Sequence, residues 1–326
     1  MTDDEAGVRK SHEPGIDAYA PREIAARVQG WCVAKAQLPL LSLAMLGVLA
    51  GAFIGFGALA YTVVASDASL GFAASRLIGG LAFSLGLVLV TVAGGELFTG
   101  NNMLVMAWAD GHIDTRAVLR NWAVVAAANL VGCVGMAILV WLSGHLALND
   151  GQVGHAALRI AVAKAQLPAG QAFIRGVLCN ALVCLAVWMG MAGRSVVDKV
   201  TTIVLPVTVF VAAGFEHSIA NLYFFALAIL AGAPLGLADV MHNLLPVLAG
   251  NLVGGSVFVG GVYFIVYARA ARRGSTFAST PGPKIRSIPR TMPFGPARGS
   301  MECLHCEGTG DDDGIQPGNR HPARHP

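Results

Sequence analysis

The chain has 326 residues, 55% of them hydrophobic and 13% charged, with 40 glycines and a formal net charge of +3. An ordinary soluble domain carries about 25% charged residues and about 7% glycine, so this composition suits lipid as the solvent. That excludes a nucleic-acid binder, a disordered protein and a typical cytosolic enzyme.

The first 30 residues are polar and lack the apolar stretch of a cleavable signal peptide, so none is expected. Pro21 to Gln29 reads as a short amphipathic helix at the inner membrane face. Six windows nearly empty of charge follow, at 36–66, 77–109, 121–149, 176–193, 200–238 and 240–268. A helix needs about 20 apolar residues to cross a bilayer, and segments this continuously apolar cross as helices rather than barrel strands. Leu167, Pro168, Ala172, Phe173 and Ile174 extend the short fourth window outward. The expectation is an all-α protein with six transmembrane helices. Of the 22 Lys and Arg, 18 fall on the side shared by the two termini and 4 on the other, which predicts both termini in the cytoplasm and an inner-membrane location. The domain plan is a cytoplasmic segment over 1–30, a transmembrane domain over 31–270 and a tail over 271–326. Cys32, Cys133, Cys179 and Cys184 lie in or beside apolar windows, and no disulfide framework is implied.

The chain repeats itself. Val33-Ala34-Lys35-Ala36-Gln37-Leu38-Pro39 recurs unchanged 129 residues later, beginning at Val162, ahead of the first and the fourth window. Gly94-Gly95-Glu96-Leu97-Phe98-Thr99-Gly100-Asn101 lines up with Gly214-Phe215-Glu216-His217-Ser218-Ile219-Ala220-Asn221, and Asn129-Leu130-Val131-Gly132 with Asn251-Leu252-Val253-Gly254. Two halves of three spans each must be inverted relative to one another, because three is odd. Lys35 and Lys164 then stand at opposite mouths. A cation at each entrance suits an anion pathway, although lysines also snorkel at membrane interfaces with no further role.

The second and fifth windows are too long for single crossings. At about 1.5 Å per residue a helix over 77–109 would far exceed the membrane, and 200–238 is longer still. Each holds glycine and one intramembrane carboxylate, Glu96 or Glu216, at the matching place, so both helices are expected to break there. Paired breaks of this kind point to a transport site near the midplane, with half-helix N-termini turned toward an anion. His217 is the one histidine near the middle of a window, and at that depth a functional role is the better default than packing. Glu96 and Glu216 read as acceptors for backbone N–H groups freed by the breaks. Thr99 offers a hydroxyl opposite the His217 break. Glu216-His217-Ser218 does not make a hydrolytic triad, because consecutive helical residues point about 100° apart, and no enzymatic activity is expected.

These residues resemble the formate/nitrite transporter family. The resemblance rests on Gly95-Glu96-Leu97-Phe98-Thr99, on Asn180 through Met189, on Gly214 through Asn221, and on Gly250-Asn251-Leu252-Val253-Gly254-Gly255. It covers roughly 30–268 in order. It implies an aquaporin-like protomer in a homopentamer with one pore per subunit, in contact with the lipid bilayer and without a cofactor. It also implies roles: His217 as the central pore histidine, Thr99 facing it, and Asn180 and Asn221 around the pore. Leu87, Leu97 and Phe98 correspond to the cytoplasmic-side constriction, Phe83, Val183 and Phe210 to the outer one, and Lys35 and Lys164 to vestibule lysines. The implied cargo is a small monovalent anion moving as anion plus proton or as the neutral acid, with flux that depends on pH. Gly193 through Lys199 favours formate, with nitrite or hydrosulfide as the alternative. A neutral-solute pore of the aquaporin type is the competing class, and its paired Asn-Pro-Ala motifs are missing here.

Residues 271–326 hold 8 Pro and 8 Gly and read as a disordered tail. Within it, Cys303, Cys306, His321 and His325 match a two-Cys, two-His zinc spacing. The apolar residues that pack a small finger are missing, so no metal site is assigned.

Overall fold

Helix starts and stops follow local chemistry throughout the computed structural model, which describes residues 17–268. In chain order the α-helices are α1 (Pro21–Ala36), α2 (Leu40–Ala65), α3 (Phe72–Val88), α4 (Val105–Ala109), α5 (Thr115–Leu142), α6 (Gln152–Ala165), α7 (Ala169–Gly190), α8 (Val196–Ala212), α9 (Ser218–Leu230) and α10 (Leu237–Val253). A π-helical turn over Leu89–Gly94 prolongs α3, and a 3₁₀ turn over Gly100–Leu104 leads into α4. Wider π-helical turns carry α10 on to Tyr267. The zinc spacing and the tail lie outside the described residues.

Pro21 takes the first position of α1, where its missing N–H is no loss. The helix expected over 21–29 continues through Gly30 to Ala36 and ends ahead of Leu38-Pro39, where proline pushes its neighbour out of the helical region. Pro39 and its repeat mate Pro168 directly precede α2 and α7. Asp114 caps α5 by accepting the Ala117 N–H at 2.7 Å. Ser195 and Asp198 cap α8 reciprocally: Ser195 Oγ accepts the Asp198 N–H at 3.1 Å, and the Asp198 carboxylate accepts the Ser195 N–H at 2.9 Å.

Among the described residues, five helices are long and apolar enough to cross a membrane: Leu40–Ala65, Phe72–Gly94, Thr115–Leu142, Ala169–Gly190 and Leu237–Tyr267. The fifth window behaves differently. The stretch 200–238 forms α8 of 17 residues and α9 of 13, neither long enough alone, because helix geometry is lost between Ala213 and His217. Gly94 and Gly214 occupy the left-handed region, at φ 95° and 72°, which a side chain would disfavour.

Packing is duplicated between the two triplets. α2 lies along α5 as α7 lies along α10, and α2 packs on α3 as α7 packs on α8. α3 and α8 meet each other, α1 rests on α4 and its leading turn, and α6 rests on α9. Small residues let these helices approach closely, the usual device where lipid supplies no hydrophobic drive between them. A Cβ at Gly132 would strike the Val48 carbonyl oxygen, and one at Gly254 would strike that of Val177, 129 residues after Val48.

Candidate functional site

Two stretches of non-helical backbone, 95–99 after α3 and 213–217 after α8, carry the chain into the interior, where Glu96 through Thr99 and Glu216 and His217 are buried. Their polar groups are satisfied twice over by the same scheme. The Glu96 N–H donates to the Leu46 carbonyl at 3.1 Å, and the Glu216 N–H to that of Arg175 at 3.3 Å. Asn129 Oδ1 accepts the Phe98 N–H at 2.9 Å, while its Nδ2 donates to the carbonyls of Gly47 and Glu96 at 2.8 and 2.9 Å. Asn251 does the same for the Ser218 N–H at 2.9 Å and the carbonyls of Gly176 and Glu216 at 2.8 and 3.0 Å. The amides supplied by Asn129 and Asn251 replace the backbone partners that a continuous helix would provide.

The two glutamates have other partners than the freed N–H groups. Lys35 Nζ donates to Glu96 Oε1 at 2.6 Å and to Asn101 Oδ1 at 3.0 Å, and Asn101 Nδ2 donates to Glu96 Oε2 at 2.7 Å. Lys164 Nζ lies 3.0 Å from both Glu216 oxygens, and Asn221 Nδ2 donates to Glu216 Oε2 at 2.7 Å. Asn101 and Asn221 are held in turn by Asn121 and Asn243, at 2.9 and 2.8 Å. Those two asparagines reach back to the Lys35 and Lys164 carbonyls, at 3.4 and 2.9 Å, and close each network. Buried charge is tolerable because each cation is paired and each carboxylate oxygen has a donor.

At the centre, the two non-helical stretches touch. Thr99 Oγ1 and His217 Nε2 are 3.0 Å apart. His217 Nδ1 accepts the Ala220 N–H at 3.1 Å as the N-cap of α9, which leaves the ring proton of the neutral imidazole on Nε2 and makes it the donor to Thr99. Asn180 Nδ2 donates to the Thr99 carbonyl at 3.2 Å, to Asn102 Oδ1 at 2.7 Å and to the Asn251 carbonyl at 2.7 Å. Glu216 and His217 thus face different partners, and no proton chain links them to Ser218.

Phe83, Leu87, Leu97, Phe98, Val183 and Phe210 share one buried apolar cluster. Phe83 meets Phe210 edge-on at 5.8 Å between centroids, and Phe210 stacks toward His217 at 6.1 Å. Two cavities flank this centre. One, of about 300 Å³, is lined by Phe83, Phe210, His217, Lys164, Glu216 and Asn221 among others. The second, of about 390 Å³, is lined by Lys35, Leu87, Glu96, Leu97 and Asn101 among others. Phe98, Val183, Thr99 and Asn180 are buried and line neither.

Reading the sequence placed Lys35, Lys164, Glu96, Glu216, Thr99 and His217 here, but gave no part to Asn101, Asn121, Asn129, Asn243 or Asn251. Their signal was available: Asn121 and Asn243 are separated by the same 122 residues as Asn129 and Asn251.

A multi-pass bundle with a polar centre between two cavities defines a membrane transport protein. The profile of the formate/nitrite transporter family matches residues 22–265, and the chain belongs to that family. It is similar to the formate channel FocB of Escherichia coli (strain K12), at 38% identity over 265 residues covering 76% of this chain and 93% of FocB. It is also similar to the formate channel FocA of the same strain, at 36% identity over 274 residues covering 78% of this chain and 96% of FocA. Among solved structures, it resembles a pentameric formate channel with formate bound, with TM-score 0.64 and 38% identity over 70% of this chain and 98% of that one. An FNT family ion channel matches with TM-score 0.69 and 33% identity over 75% of this chain and 98% of that one.

Proposed function

We propose that this protein passes small monovalent anions, formate first, across the inner membrane as anion plus proton or as the neutral acid. The observation that carries the reading is the buried Thr99–His217 hydrogen bond, which joins the two repeat-related segments between two cavities. The formate channels among its relatives support the cargo, and the pentameric neighbour supports a homopentamer with a pore in each subunit.

In this reading the six apolar windows are six spans arranged as an inverted pair of triplets, with the second and fifth helices broken at Gly94 and Gly214. The matched packing and the two matched networks support it. The 18-to-4 distribution of Lys and Arg supports cytoplasmic termini around a transport domain over 31–270.

Leu87, Leu97 and Phe98 on one side and Phe83, Val183 and Phe210 on the other form apolar constrictions. A bare carboxylate loses far more hydration there than a short pore returns, so the low dielectric favours the protonated acid. His217 acts as a donor: its Nε2–H exchanges Thr99 for an oxygen of the passing substrate, while the Ala220 N–H holds the ring in place. Flux therefore rises as the pH falls. Lys35 and Lys164, each locked to its glutamate, brace the breaks and line the two cavities.

Liposome swelling tests the cargo. Formate uptake with weaker nitrite uptake and no glycerol uptake is the expected result. Glycerol or water flux without a formate response would overturn the reading in favour of a neutral pore.

A further inference from the structure

The cavity on the His217 side carries more positive charge than its paired lysine accounts for. Its lining includes Arg76, Arg159 and Arg175 besides Lys164, against the single carboxylate of Glu216. Glu216 is already bound to Lys164, and none of the three arginines makes an ion pair among the described residues. The other cavity has Lys35 and Lys199 against Glu96. The excess is not inherited from the repeat. The residues 129 positions before Arg159 and Arg175 are Gly30 and Leu46. Leu46 and Arg175 are structural equivalents, because their carbonyls accept the Glu96 and Glu216 N–H groups.

Two of the guanidinium groups converge. At Gly214, the place a Cβ would fill has Arg76 Nη2 at 2.8 Å and Arg175 Nη1 at 4.0 Å. Arg76 is aimed by bonds from Nε to the Ala212 carbonyl at 2.9 Å and from Nη1 to Tyr61 Oη at 3.0 Å, which leave Nη2 unbonded over the glycine. Arg175 has one long bond, from Nη1 to the Gly214 carbonyl at 3.5 Å. Both side chains are half-buried, where screening by water is reduced. Like charges brought together this way, with donors to spare, form a fork for a bidentate anion.

We propose that Arg76 and Arg175, converging over Gly214, form an anion-docking site for a small oxyanion carrying two negative charges, with Arg159 at its rim. A monovalent acid leaves this cavity for the apolar constriction once it is protonated. A dianion taking up one proton still carries a charge, so it stays docked and obstructs the mouth.

Oxalate is the probe, titrated calorimetrically into the purified full-length protein at fixed ionic strength, with chloride and acetate as comparisons. This readout does not require flux, so it stands or falls apart from the proposed cargo. Oxalate binding well above both comparisons is expected. Arg175→Leu, which installs the residue of the other half, weakens it at least about ten-fold, and Lys199→Gln on the opposite cavity leaves it unchanged. Arg175→Lys, which keeps the charge without the fork, gives an intermediate loss and serves alone if the leucine variant does not assemble. Oxalate binding no better than chloride, equal binding after either Arg175 substitution, or an equal loss in Lys199→Gln overturns the proposal.

Discussion

The networks built on Lys35 and on Lys164 each join a lysine, a glutamate and two asparagines in the same order, yet the segments they brace differ at the centre and at the mouth. Beside Glu96 the chain presents Thr99; beside Glu216 it presents His217. The Lys35 cavity holds one further cation, Lys199, whereas the Lys164 cavity holds three arginines. The helices differ too, since α3 with its π-helical turn keeps 23 residues before the break and α8 only 17. The duplicated residues are those that satisfy broken backbone and buried charge, a requirement both halves share. The residues that differ are those that meet whatever enters the cavities, and a centre with one donor ring needs only one histidine.

The comparison breaks most readily at the buried carboxylates. Glu96→Ala strands the buried Lys35 without its counter-charge and takes one acceptor from Asn101, and such a loss costs about 3–5 kcal/mol. The Lys164 side chain keeps 16% exposure against 8% for Lys35, so Glu216→Ala is expected to cost less. Thermal unfolding in detergent reads both, and a larger loss for Glu216→Ala would contradict the equivalence drawn here.

Next come Asn129→Ala and Asn251→Ala. Each removes three hydrogen bonds and leaves a buried N–H, of Phe98 or Ser218, unpaired, for about 1–3 kcal/mol. Equal losses are expected. Thr99→Ala is smaller for stability, about 1 kcal/mol, but it frees His217 Nε2 and so changes formate flux more than folding. Thr99→Ser restores both, and a serine variant as impaired as the alanine one would remove the hydroxyl from the account.

The smallest effect is at the rim. The Ser195 and Arg194 backbone N–H groups hold the exposed Asp198 carboxyl below the usual carboxylate range. Its folded value being depressed, the cap stabilises α8 above the ordinary carboxylate pKa, and the contribution fades as pH falls through the lowered one. Asp198→Asn therefore lowers the unfolding midpoint slightly at neutral pH and leaves it unchanged in strong acid.

The repeat made much of this legible. An unchanged heptapeptide marked Lys35 and Lys164, and a glycine beside a lone carboxylate marked both non-helical stretches. Asn101, Asn129 and Asn251 entered only as repeat or motif matches, and Asn121 and Asn243 not at all, because a single amide in an apolar helix reads as packing and only its partner across the fold shows which backbone it serves. α6 escaped because Arg159 and Lys164 read as loop charge, although α6 is the repeat mate of α1 and is bounded by Gly151 at φ 81° and by Leu167-Pro168. Arg76 and Arg175 entered the sequence reading only as a tally for orientation, since their convergence over Gly214 depends on α3, α7 and α8 meeting.

The most direct measurement follows internal pH during formate entry into proteoliposomes, between about pH 5 and pH 8, for the natural sequence and for His217→Asn. The account predicts flux that rises in acid, a proton carried inward with each formate, and an altered pH response in the variant. Formate entry without acidification, or a profile that His217→Asn leaves unchanged, would contradict it.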